Sequence, residues 1–135
     1  MNRVETAGKL HGRGYNCAQA VACAFVDALD IDEETLFKMN EGFGGGMGCT
    51  EGVCGALSAA VMVAGMKNSD GNLENPGSKG ATSKLSREMV GRFKEKTGAI
   101  ICRELKGIDT GSVLSSCDEC IQAGVETVQE VLTID

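Results

Sequence analysis

The chain has 135 residues and a mass of 14.0 kDa, a size for one domain that buries roughly 70% of the surface its unfolded chain exposes. Hydrophobic residues make up 42% and charged residues 24%, a globular balance that excludes an extended disordered chain. A net charge of −6, a pI near 4.8 and 4% aromatics with no Trp argue against nucleic acid and anionic membranes as partners: both select basic patches, and bases also select stacking rings.

In chain order the periodicity predicts helices almost throughout. Val4, Ala7 and Leu10 share one face of a first helix that stops at Gly12-Arg13-Gly14. Asn16 caps a second, whose apolar stripe is Ala20, Val21, Ala24, Phe25 and Leu29. Asp32-Glu33-Glu34 place negative charge on the first turn of a third, which runs to about Asn40. A glycine-rich loop, Gly42-Phe43-Gly44-Gly45-Gly46-Met47-Gly48, leads into an apolar segment at about 53–66. That segment is rich in Ala, Gly and Ser and apolar on nearly all sides, so it is predicted to be the buried central helix of the bundle. Asn68 to Gly80 reads as an exposed loop. Thr82 or Ser83 then caps a fifth, amphipathic helix with Leu85, Met89, Val90 and Phe93 inward and Gly98 at its end. Helix resumes over Ala99 to Leu105, a loop covers Gly107 to Ser116, and Cys117 to Leu132 forms the last helix with Ile121, Val125, Val128 and Leu132 inward. The expectation is a single all-α domain over 1–135, a compact multi-helix bundle. The fifth helix offers a face for a homo-oligomer.

Seven cysteines are the unusual count. The opening Met1-Asn2-Arg3-Val4-Glu5-Thr6 carries no apolar leader, and the longest apolar run, about 14 residues, falls short of the ~20 of a spanning helix. A cytoplasmic protein is therefore expected, where cysteine-rich sequences are more often redox-active or metal-binding than disulfide-stapled. Cys17, Cys54, Cys102 and Cys117 each fall at the start of a helix, where free N–H groups and a partial positive charge favour thiolate. If those ends converge they build one thiolate cluster, to which Arg103 adds charge. Cys49 and Cys120 are additional candidates, the latter through the pair Cys117-Asp118-Glu119-Cys120, and Cys23 reads as core packing. The glycine loop is either a tight corner or a nest of N–H groups, in which Gly45, Gly46 and Gly48 would hold a cofactor or anion. His11, the only histidine, reads as solvated surface.

The stretches Gly14-Tyr15-Asn16-Cys17-Ala18-Gln19-Ala20-Val21, Gly44-Gly45-Gly46-Met47-Gly48, Cys54-Gly55-Ala56 and Ile101-Cys102-Arg103-Glu104-Leu105, with Phe93 and Gly98 between them, resemble the C_GCAxxG_C_C family. The resemblance spans nearly the whole chain and implies redox activity. It carries the four cysteines of the family name to Cys17, Cys54, Cys102 and Cys117, with Cys120 the rival for the last place. One departure is Ala59 where the family's Cys-Gly-Ala-x-x-Gly ends in glycine.

Three functions compete at this level. The leading one is thiol–disulfide electron transfer by the four cysteines, which requires no cofactor and exchanges electrons with a partner protein or a small-molecule acceptor. The second is a metal module in which Cys17, Cys54, Cys102 and Cys117 ligate zinc or an iron–sulfur cluster. The third is a non-catalytic helical interaction protein with cysteine as filler.

Overall fold

The computed structural model describes all 135 residues and is all-helical. Its elements are α1 (Arg3–Gly12), α2 (Cys17–Cys23), a 3₁₀ turn at Val26–Ala28, α3 (Glu33–Glu41), α4 (Gly44–Met47), α5 (Gly55–Asn68), α6 (Lys79–Thr97), α7 (Cys102–Lys106) and α8 (Cys117–Leu132). No helix is long and apolar enough to cross a membrane.

The core holds 27 buried residues, and every helix except α4 contributes to it. Helix α5 lies at its centre, in contact with α2, α6 and α8, and buries Ala56, Leu57, Ala59, Ala60, Val63 and Ala64. Its small side chains allow that close packing. A Cβ at Gly124 of α8 would come within 3.0 Å of the Ala56 carbonyl and 3.1 Å of a Val21 methyl, so three helices meet there almost backbone to backbone. Ala59, the departure from the family pattern, is fully buried in the same core.

Helix starts follow local chemistry. Asn16 and Gln19 form a capping box on α2, each side chain meeting the other's backbone N–H at 2.9 Å. Ser116 and Glu119 do the same for α8 at 2.9 and 3.1 Å. Asp32 caps α3 at 3.0 Å. Four sequence expectations need correction. The second helix ends at Cys23, and a 3₁₀ turn at Val26–Ala28 carries the chain from Phe25 to Leu29. The central helix runs two residues later than expected, because Val53 is held in an extended bridge to Ile101. For the same reason Ala99–Ile101 is not helical and α7 begins only at Cys102. Helix α6 starts at Lys79, ahead of either expected cap, after a Ser78 that makes no side-chain cap bond, and the Thr82 hydroxyl accepts from Asn68 Nδ2 at 3.0 Å.

A candidate thiol cavity

The Val53–Ile101 bridge is what brings two helix starts together. Cys54 N–H donates to the Ile100 carbonyl at 2.8 Å, and Cys102 N–H to the Gly52 carbonyl at 3.0 Å. Cys54 thereby becomes the N-cap residue of α5 and Cys102 the first residue of α7. Cys17 and Cys117 are the first residues of α2 and α8. All four side chains, and that of Cys120 one turn into α8, line a cavity of about 160 Å³. Its remaining walls include His11, Asn16, Gly45, Leu105, Lys106 and Ser115. No disulfide is formed.

Inside the cavity the Cys17, Cys54 and Cys120 thiols are neighbours, each close enough to shift the ionisation of the next. The Cys120 thiol reaches toward the Ser115 carbonyl at 4.0 Å. Cys54, Cys102 and Cys120 are buried, Cys17 is half-buried and Cys117 is exposed at the mouth. Cys117 and Cys120 stand three residues apart on one helix, a spacing that places both on the same face. The sequence offers them as rivals for the fourth place of the family pattern, and both line the cavity.

Glycines shape this wall by what they lack. A Cβ on Gly55 would sit 2.7 Å from Cys17 Sγ and 2.9 Å from the Phe43 carbonyl, and one on Gly44 would enter the Asn16 side chain at 2.4 Å. A Cβ on Gly46, whose φ is +60°, would lie 2.4 Å from Cys102 Cβ. The expected cofactor glycines therefore divide. Gly45 lines the cavity and its N–H faces the Cys17 sulfur. Gly46 instead packs on Cys102 and turns its carbonyl toward the N–H of Gly52 at 3.1 Å. Gly48 is exposed and closes α4 at φ 73°.

The electrostatics reverse one expectation. The thiols of Cys17, Cys54 and Cys102 are pushed up, not down. For Cys17 the main cause is the hydrogen bond it donates to Cys54, followed by burial. Cys54 rises to about 12, chiefly through the bond it donates to Cys120, with burial adding to it. For Cys102 burial is the leading cause, opposed by Lys106. The helix-start argument counted the positive ends without asking who uses them. At α7 the first N–H groups are taken by the Gly52 and Thr50 carbonyls, at 3.0 and 2.7 Å. N–H groups of Gly45 and Ala18 do favour a Cys17 thiolate, but burial and neighbouring thiols outweigh them.

Other candidates are relocated. Arg103 turns away and pairs with Asp109 through two contacts of 2.7 Å, so the cation at the cavity is Lys106. Cys49 is exposed outside the cavity, its thiol 3.6 Å from the Gly46 carbonyl. His11, expected as solvated surface, is half-buried and lines the cavity, with Nδ1 3.0 Å from Asp118 Oδ1. An ionised carboxylate only accepts, so Nδ1 carries the proton in that pair. Nothing near His11 in the sequence announces its partner 107 positions away. Cys23 is buried in the core away from the cavity, where burial raises its thiol to about 11. Cys23→Ala is expected to leave thiol reactivity unchanged and to cost about 1 kcal/mol, read from denaturant unfolding. Loss of reactivity in that variant would show that Cys23 reaches the cavity.

Fold and cavity define a class: a small helical protein with a cluster of reduced cysteines gathered at helix starts. The chain belongs to the C_GCAxxG_C_C family, whose model, described as "Putative redox-active protein (C_GCAxxG_C_C)", matches residues 15–131. No curated protein and no solved structure matches it.

Proposed function

We propose that the protein is a thiol–disulfide electron carrier whose working groups are the cavity cysteines. The observation that carries this reading is the gathering of the Cys17, Cys54, Cys102 and Cys120 thiols around one cavity with an exposed Cys117 beside them. Neighbouring thiols can close to a disulfide with loss of two electrons and two protons, and the acceptor would be an external disulfide on a partner protein or small molecule. The test is a count of reactive thiols on protein purified without oxygen, before and after a measured dose of a neutral aromatic disulfide. Apart from the exposed Cys49, thiols should disappear in pairs within single chains. Cavity thiols that are instead lost singly, or only by cross-linking of chains, would end this reading.

Burial sets the pH behaviour of such a couple. With Cys17 and Cys54 pushed up, the dithiol stays protonated well past the ordinary thiol range of about 8.5. Two protons then accompany two electrons, and the midpoint potential is expected to fall by about 59 mV per pH unit without flattening up to about pH 10. A redox titration that levels off above about pH 8.5 would show the thiols to be ordinary. The same shift has a stability consequence. Unfolded thiols ionise first, so the reduced protein is fully stable below about pH 8.5 and is expected to weaken as pH rises above it.

A second reading is favoured by the void itself, since a dithiol pair needs no cavity of about 160 Å³ with thiols on several sides. In it, Cys17, Cys54, Cys102 and Cys117 would ligate zinc or an iron–sulfur cluster, whose charge would offset the cost of holding buried thiolates. No three His, Cys, Asp or Glu side chains are grouped to hold one metal ion, so ligation would require cysteine rotamers to turn inward. Metal and sulfide content per chain, measured with a visible spectrum on anaerobically purified protein, separates the two. Stoichiometric iron or zinc that is lost in Cys102→Ser would replace the dithiol reading.

A further inference from the structure

We infer that the cavity cysteines form a two-stage relay, in which Cys117 and Cys120 are the outer dithiol that meets the external disulfide and Cys54 and Cys17 are an inner dithiol that receives the oxidation. The inference rests on the thiol–disulfide reading above and assigns an order within it. Its ground is geometric. Cys117 is the exposed thiol of the cavity, and Cys120, three residues on, is buried. Positions three apart in an α-helix lie within the Cα separation a disulfide spans, so this pair closes with a local adjustment of the first turn of α8 that draws the two Cβ atoms together. All four thiols line the one cavity. The backbone of Gly55, next to Cys54, approaches so closely that a Cβ there would lie 2.7 Å from Cys17 Sγ, which sets Cys17 and Cys54 side by side although they belong to different helices. A disulfide reagent too large for the cavity can therefore reach Cys117 while Cys54 and Cys120 stay covered and Cys17 is only partly open.

Each step balances. Cys117 loses its proton and its sulfur attacks one sulfur of the external disulfide. That S–S bond breaks, the first external thiolate leaves and takes up a proton, and Cys117 holds the other half. Cys120 then attacks the Cys117 sulfur, expels the second external thiol and closes the Cys117–Cys120 disulfide. Next Cys54 attacks the Cys120 sulfur and releases Cys117 as a thiol. Finally Cys17 attacks the Cys54 sulfur and releases Cys120. The net reaction reduces one external disulfide to two thiols and oxidises the Cys17–Cys54 dithiol, with the outer pair restored. A reducing dithiol arriving at Cys117 runs the same steps backwards.

The experiment adds less than one equivalent of 4,4′-dithiodipyridine to the reduced full-length protein, quenches with acid at increasing times and maps disulfides by peptide mass. The expected result is an early Cys117–Cys120 disulfide that decays into Cys17–Cys54. In Cys17→Ser the outer disulfide should form at the normal rate and persist. In Cys120→Ser, Cys117 should stall as its mixed disulfide with thiopyridine, and in Cys117→Ser oxidation of the inner pair should slow at least tenfold. Circular dichroism checks that each variant is folded, and the three variants alter different helices. An inner disulfide that forms first, at a rate indifferent to Cys117→Ser, would overturn the relay while leaving thiol–disulfide chemistry standing. If no intrachain disulfide forms in the wild-type protein, the underlying reading fails with it.

Discussion

Cys54→Ser is expected to stop oxidation at the Cys117–Cys120 pair and to leave the fold intact. Cys54 opens α5 and lines the cavity together with Cys17 and Cys120, so its loss removes the step that joins the outer to the inner dithiol. Under excess oxidant the wild-type chain should form intrachain disulfides in both pairs, whereas the variant should form only the one between Cys117 and Cys120. Stability should barely change, and for a specific reason. Cys54 is the N-cap residue of α5 and makes no side-chain cap bond there, while serine is among the best N-cap residues, worth about 1 kcal/mol. In that cap bond the hydroxyl has a partner, so the cost of about 1–3 kcal/mol for burying an unpaired one is not incurred although only 6% of the residue is exposed. Paired thiol counts and thermal melts read both halves of the expectation. If Cys17 still forms a disulfide within the chain, Cys54 is not the link; a variant that does not fold would mean the thiol is part of the packing.

The relation between sequence and site is uneven, and the unevenness has causes. Local signals were legible: Asn16 before α2, Asp32 before α3, Gly98 after α6 and the span of α8 are set by neighbours within a turn. The central helix was legible from composition alone, because a run of Ala and Gly with apolar residues on all sides has no solvated face to offer. The four helix-start cysteines do line one cavity, although nothing in a single sequence measures convergence; that depended on the Val53–Ile101 bridge, which no alternation pattern announces. The errors share one origin. Arg103 is suggested by its adjacency to Cys102, yet helical phase turns Arg103 toward Asp109 and Lys106 toward the cavity. His11 looked solvated because its partner Asp118 lies on the last helix. The thiol pKa values were given the wrong sign because helix-end charge is visible in sequence and burial among other thiols is not.

Gly46→Ala is expected to cost more than about 3 kcal/mol and to disorder the Cys102 side of the cavity, whereas Gly45→Ala should cost about 1–2 kcal/mol. The two residues are adjacent and share nearly the same backbone, φ +60° and +66°, so the left-handed strain of an L-residue is common to both. What differs is the space around the added methyl. Nothing lies within 4 Å of a Cβ on Gly45, but one on Gly46 would meet Cys102 Cβ at 2.4 Å and the Gly52 carbonyl at 2.9 Å. Neither neighbour can retreat cheaply. Gly52 O accepts the Cys102 N–H at 3.0 Å, and Cys102 opens α7 beside the Ile101 bridge, so a shift there breaks the contact that holds the starts of α5 and α7 together. The difference between the variants therefore isolates steric contact from backbone strain, and denaturant unfolding of the pair measures it directly. Equal costs would mean that backbone strain decides both positions and that the glycine loop is not moulded around Cys102. The expected gap would instead identify Gly46 as the residue whose missing side chain lets Cys102 reach the cavity wall.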